Sequence, residues 1–342
     1  MVDDYGKLMR LASYTDTVKP DGETVLNIDL SWHHFFPSGS TTPWQLDGVL
    51  KTLIGDGFLH RRISACYGIR KGISVKKGEV FNRHVSVLER YDTRVIHLGE
   101  GERWIRYEPK TRLRVLEKIF PDGIYIPERF SGCAIIHLPT MKTDALSMIA
   151  GTMYANFESL LDERSMRAYS ALHEALVDAF TIAKELFRGI FTVMDGVFAG
   201  EGPGPLSYMP HEKNLILASS DPVALDAVAA AVMGFEPMTI PFIRLAHDAE
   251  LGTGDIGEIE ILGEDISGMH FDFHAGQSGM DTRIRLMEKK LAGTFLAPLS
   301  RLLTVLYSDF YWYVGVGEKR IRNAMKGNWG TLFESYRKKI GS

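Results

Sequence analysis

The chain has 342 residues, of which 45% are hydrophobic and 24% charged, and a formal net charge of −4. That balance is globular and supplies enough apolar material for a core without disulfide or metal staples. The charge gives no sign of nucleic-acid binding, which asks for a basic patch or stripe. Two cysteines, Cys66 and Cys133, fall short of the roughly four thiolates of a ferredoxin-type iron–sulfur cluster.

In chain order, residues 1–22 read as a polar lead-in; the opening MVDDYGKLMRLASYTD lacks the apolar core of a secretory signal. Thr24–Leu30 reads as a buried strand and Ser31–Thr42 as a long loop. Thr42 fits a helix N-cap, with Pro43 at the first helical position and the helix running to Ile54. Ile63–Ile69 is the next strand. Residues 70–110 read as a β-rich excursion, with β-like runs at Glu79–Val87, Thr93–Leu98 and Trp104–Tyr107. Arg112–Phe120 reads as a short helix, Ile124–Pro127 as extended, and Cys133–Leu138 as a third buried strand. Ser165–Phe187 has apolar residues at helical spacing. Two further apolar runs, Ile190–Val197 and Leu215–Ala218, flank the loop Gly200-Glu201-Gly202-Pro203-Gly204-Pro205, and the second passes through Ser219-Ser220-Asp221-Pro222 into the helix Val223–Met233. Gly257–Leu262 reads as an edge strand, and His270–His274 as an ordinary strand.

Alternating strands and helices predict an α/β fold: a mixed, mainly parallel central sheet flanked by helices over residues 23–270. Residues 271–342 form a helical, aromatic C-terminal extension. Within it Leu291–Val316 is the most membrane-like stretch, but Pro298, Arg301 and Asp309 make it too polar to span. A buried or interfacial helix is expected, and residues 280–342 could pair two copies.

Ligands of open parallel sheets bind beyond the carboxyl ends of the strands, and helix starts favour anions. Two segments share that grammar, Asn27–Asp47 and Leu215–Met233. Ser38, Gly39, Ser40, Thr41 and Thr42 offer hydroxyls and a turn at the first; Ser220 and Asp221 stand at the second, where capping alone accounts for Asp221. Gly202 and Gly204 let the backbone approach a ligand, and Glu201 could serve there as acid, base or metal ligand. Lys142, after a buried strand and Pro139, could hold an anion with Thr143 beside it. His34 is a candidate proton carrier. Asp29, Asp195 and Glu201 are weak metal candidates; the adjacent His33 and His34 are expected to point in different directions. Asp226, an acid among Ala, Val and Leu, needs a partner. No phosphate-loop motif occurs.

Taken together, Val193–Phe235 with its DG, EGPGP and SSDPVALDAVAA elements, Val25–Asp47, the run IIHLPTMKT at Ile135–Thr143 and EPMTIPFIRL at Glu236–Leu245 resemble the domain-of-unknown-function family three-sixty-two. The resemblance covers roughly residues 20–265. It implies an α/β fold, a cytoplasmic, prokaryotic setting and, because many members are fused to ferredoxin-type modules, redox chemistry. With no such module here, a separate electron donor would be needed. The family's usual histidine after Lys-Thr is Asp144 in this chain, and a usual lysine is Ala155. Altered substrate or lost activity are both open.

The expected function is an enzyme of unassigned reaction on a small anionic metabolite, phosphate- or carboxylate-bearing, leaning to an oxidoreductase. Lys142 and Glu201 should then converge in one cleft. The alternatives are a hydrolase or isomerase with a divalent cation in the same pocket, and a non-catalytic scaffold using the aromatic extension. The cofactor is unknown, with no iron–sulfur cluster on this chain.

Overall fold

The computed structural model describes residues 1–69, 72–276, 279–291 and 294–337. The chain opens with α1 (Val2–Leu11) and α2 (Tyr14–Thr17), then β1 (Thr24–Ile28), α3 (Pro43–Gly55) and β2 (Ile63–Tyr67). Next come α4 (Val75–Phe81), α5 (His84–Arg90), β3 (Arg94–His97), β4 (Trp104–Tyr107), α6 (Leu116–Ile119), β5 (Ile124–Pro127), β6 (Ala134–Leu138), β7 (Thr140–Asp144) and β8 (Met148–Ile149). The second half contains α7 (Thr152–Leu160), α8 (Leu172–Leu186), β9 (Gly189–Glu201), β10 (Met209–Ser219), α9 (Pro222–Met233) and α10 (Pro241–Asp248). The C-terminal helices are α11 (Met280–Leu291), α12 (Ala297–Leu306), a π-helical stretch Tyr307–Gly317, α13 (Glu318–Ala324) and α14 (Asn328–Ser335).

The fold is α/β with a mainly parallel central sheet. β3, β2, β1, β6 and β9 lie side by side and parallel. β6 and β7 are nearly one strand, broken at Pro139; β6 pairs with the first part of β9 and β7 with its later part, through Thr140 opposite Asp195 and Lys142 opposite Gly200. β10 runs antiparallel along the other edge of β9. Alternation along the strands feeds two apolar layers. Val25, Cys66 and Ile135 face the side carrying α7, α8, α9 and α10; Leu26, Ala65, Ile136 and Leu138 face α1 and α3. Both cysteines are free and buried.

Several local expectations are corrected. Residues 2–11 are a helix, not a loose lead-in: Tyr5 and Met9, four apart on one face, are buried against α3, and a Cβ on Gly48 would sit 2.7 Å from the Val2 carbonyl oxygen. Glu79–Val87 is helical, in α4 and α5. Its valines suggest a strand, but Ser74 caps α4, and Val87 and Leu88 bury one helical face. Arg94–His97 joins the main sheet as an edge strand instead of standing outside it. Residues 112–120 hold only the single turn of α6, and 165–187 splits into a 3₁₀ segment, Ser165–Ala171, followed by α8. Gly257–Leu262 is not a strand; the 3₁₀ turn Ile256–Glu258 overlaps its start and the rest is irregular. Residues 270–274 are irregular, because the Phe271 and Phe273 amides are spent on the Val232 and Met233 carbonyls at the end of α9.

Asp226 owes its place to a neighbouring helix. Its carboxylate accepts from the Thr152 and Met153 amides at 2.6 and 3.0 Å, supplying the cap that Gly151 lacks at the start of α7. A Cβ on Gly151 would overlap that carboxylate. Burial pushes the Asp226 carboxyl up to about 6, against the downward pull of the two amides.

Candidate functional site

Just past the end of β1, Asp29 meets Lys142 from the middle of β7. Both are buried, and they form an ion pair. The Lys142 Nζ also donates to the Gly39 carbonyl at 3.1 Å and to Thr140 Oγ1 at 2.8 Å, so all three ammonium protons have acceptors. Asp29 in turn accepts from Ser31 Oγ at 3.2 Å. A narrow cleft opens over the pair, lined also by Asp144, Tyr154, Glu158 and Tyr208. It lies beyond the carboxyl ends of the strands, where open α/β sheets place their ligands.

The loop Ser38–Thr42 runs beside this cleft, but its hydroxyls build the protein. Thr41 Oγ1 donates to the Leu138 carbonyl at 2.6 Å and accepts from the Asp29 amide at 2.9 Å. Ser40 Oγ accepts from the Ser31 amide. Thr42 and Gln45 form a capping box on α3, and the Thr42 hydroxyl also donates to Asp195. Ser38 Oγ has no hydrogen-bond partner among the described residues and lies where a Cβ on Gly200 would come within 2.8 Å of it. Gly39 offers its carbonyl to Lys142.

Glu201 does not join Lys142. The two line separate depressions, because Gly200 sits opposite Lys142 and the next side chain along β9 leaves on the other face. Glu201 pairs instead with His211 Nε2 at 2.8 Å and with the amide and Nδ1 of His274 at 3.2 Å. Thr143 ties the glycine loop to β7, its hydroxyl donating to the Gly202 carbonyl at 2.7 Å and accepting from the Gly202 amide at 2.8 Å. Gly202 and Gly204 have φ of +139° and +55°, and a Cβ on Gly204 would overlap the Tyr208 hydroxyl. Ser220 and Asp221 stand apart from the cleft. Asp221 caps its own helix, accepting from the Val223 and Ala224 amides, and holds the Thr253 amide with its second oxygen.

Asp195 is fully buried and accepts from Thr42, the Trp44 indole and the Val197 amide. Among the described residues, a cluster that could hold a metal lies elsewhere. His33, His34 and Asp309 bring ligand atoms within 4.8 Å of one another. His33 Nε2 is 3.2 Å and His34 Nε2 3.9 Å from the Asp309 carboxylate, which also accepts from the Trp32 indole at 2.7 Å. The two rings are 4.4 Å apart; the expected divergence fails because alternation belongs to strands and these residues lie in a loop. His34 stacks on Tyr313 at 3.9 Å. Burial and the neighbouring His33 lower the His34 pKa to about 4, so its ring is neutral at pH 7 and available as a ligand.

Asp144 closes one side of the cleft. It accepts from the Leu146 and Ser147 amides and forms a buried ion pair with Arg285 of α11. Arg285 also reaches Glu288, which pairs with Arg301. The carbonyl of Ala155, on α7 at the same cleft, takes a hydrogen bond from Asn27. Arg285, Tyr154, Tyr208 and Asp309 were invisible to motif reading, since their partners lie far away in the chain.

These elements define an α/β protein with a buried lysine–aspartate pair at the carboxyl ends of its parallel strands. The chain belongs to the DUF362 family, a domain of unknown function, whose model matches residues 39–231. It is 25% identical over 197 residues to a thylakoid-associated protein of Synechocystis sp., a match covering 55% of this chain and 54% of that protein. The chain thus spans about half the length of the curated relative it matches.

Proposed function

We propose that the chain is an enzyme acting on a small anionic metabolite, phosphate- or carboxylate-bearing, at the Lys142–Asp29 cleft. The observation that carries this reading is a buried cation, Lys142, in the lining of one narrow cleft, with Asp144 of the same lining held by the buried Arg285. Burying charge is costly unless it is paired, and such groups cluster where ligands are handled. Lys142 anchors the anion as it displaces one of the lysine's present acceptors. Asp29, in direct contact with Lys142, is better placed to move the proton than Glu201, which lines another depression, or His34, which stands with His33 and Asp309. The redox lean comes from the resemblance and takes its electrons from a separate donor. The setting is cytoplasmic and prokaryotic; the relative's thylakoid association concerns that protein, and a cytoplasmic chain can meet a membrane from the aqueous side. The test is retention of a small molecule by freshly purified chain and its loss in Lys142→Ala.

A second reading, a hydrolase or isomerase using a divalent cation, is favoured by the convergence of His33, His34 and Asp309. Two imidazoles and a carboxylate suit zinc or another borderline first-row cation with an open position. This moves the cation away from Asp29, Asp195 and Glu201.

A further inference from the structure

Helices α11 and α12 are polar toward the protein and apolar toward the outside. On α11 and α12 the buried side chains are Thr282, Arg285, Glu288, Ser300 and Thr304 together with Val305, and Arg285, Glu288 and Arg301 form the ion-pair network beneath them. The outward stripe is Leu296, Leu299, Leu303, Leu306 and Phe310, spaced three, four, three and four residues apart, widened by Phe295. Phe295 is 90% and Phe310 75% exposed. Twelve of the 22 exposed large apolar side chains among the described residues fall between Met280 and Val314, about a tenth of the chain. A globular surface helix has the opposite polarity, and a contiguous apolar face of this kind marks an interaction site.

The charges around the stripe point to its occupant. Residues 279–326 carry nine Lys and Arg against four Asp and Glu, in a chain whose net charge is −4. The acids Glu288 and Asp309 are turned inward, whereas Arg283, Lys290, Lys319, Arg322 and Lys326 are exposed with only Glu318 among them. We propose that this face lies in the headgroup region of an anionic lipid bilayer, with the leucine and phenylalanine stripe in the acyl boundary and the lysines and arginines on the phosphates. A second copy packed on the same stripe would bring two cationic rims together, whereas helix pairs flank such seams with charges of both signs. No helix among the described residues is long and apolar enough to cross a membrane, so the helices lie in the interface plane, as amphipathic helices with basic flanks do.

The test is co-sedimentation of the full chain with vesicles of phosphatidylcholine alone and of phosphatidylcholine mixed with phosphatidylglycerol. The expected result is binding at least about tenfold stronger to the anionic vesicles, weakened by salt. Leu299→Asp with Leu303→Asp should abolish it, and Lys290→Glu, Lys319→Glu and Arg322→Glu together should remove the anionic preference. All five positions are exposed, so thermal unfolding should stay that of the parent chain, which separates lost binding from lost fold. Absence of sedimentation with either vesicle overturns the proposal. So does a dimer, seen by analytical ultracentrifugation, that Leu299→Asp with Leu303→Asp dissolves in a chain that ignores vesicles.

Discussion

Arg285 and Asp144 stand 141 residues apart in sequence and meet as a buried ion pair, Nη2 to Oδ2 at 3.1 Å. This contact fastens α11 to the end of β7 and holds Asp144 in the lining of the candidate cleft. Removing one partner of a buried pair leaves the other charge unpaired. Arg285→Ala strands Asp144 and weakens the hold on Glu288, so urea unfolding should show a loss of about 3–5 kcal/mol. A loss below about 1 kcal/mol, the scale of an exposed pair, would show that the network does not fasten the extension.

Gly151 predicts a second, separate cost. A side chain there overlaps the Asp226 carboxylate that caps α7. Gly151→Ala should lower stability by at least about 1–2 kcal/mol, the scale of a lost cap. An unchanged melting temperature would mean that Asp226 can move aside freely.

Asp226 also sets a pH dependence. Its folded pKa of about 6 lies above the roughly 3.9 of an exposed aspartate. Between those values the folded chain holds a proton that the unfolded chain has released, so stability falls as pH rises. The contribution is fully present below pH of about 4 and is lost as pH climbs through about 6. Urea midpoints across this window should fall more steeply with pH in the parent chain than in Asp226→Asn. Equal slopes would assign the dependence to other groups.

The His33, His34 and Asp309 cluster predicts metal-dependent stabilisation. Zinc or manganese added to chelator-treated chain should raise the melting temperature by mass action, and His33→Ala or Asp309→Asn should remove most of the gain. A rise unaffected by those substitutions would place the cation elsewhere.

Much of the fold was legible because its signals are local. Thr42-Pro43 and Asp221-Pro222 announce helix starts, and the apolar runs at 24–28, 134–138 and 190–197 are buried strands. Valines in 79–87 misled because β-branched residues report burial as much as backbone conformation. The rule that ligands sit at the carboxyl ends of strands drew attention to Lys142 and the Ser38–Thr42 loop, and the structure joins them through the Gly39 carbonyl on the Lys142 ammonium. Glu201 was misplaced because a loop motif does not say which face of β9 its glutamate leaves from. Asp309, Arg285 and Tyr208 carry no local signal. Arg285 and Asp309 reach Asp144 and the histidines only through the packing of the C-terminal helices, and Tyr208 reaches the cleft from the loop before β10, long-range outcomes that no short motif records.

The most direct measurement is native mass spectrometry of the freshly purified full chain, with a denatured control to identify released small molecules. The account predicts a bound phosphate- or carboxylate-bearing metabolite in the parent chain, lost in Lys142→Ala and in Asp29→Asn but kept in Glu201→Gln. A metabolite retained equally by Lys142→Ala, in a chain whose melting shows it folded, would contradict the assignment of the cleft.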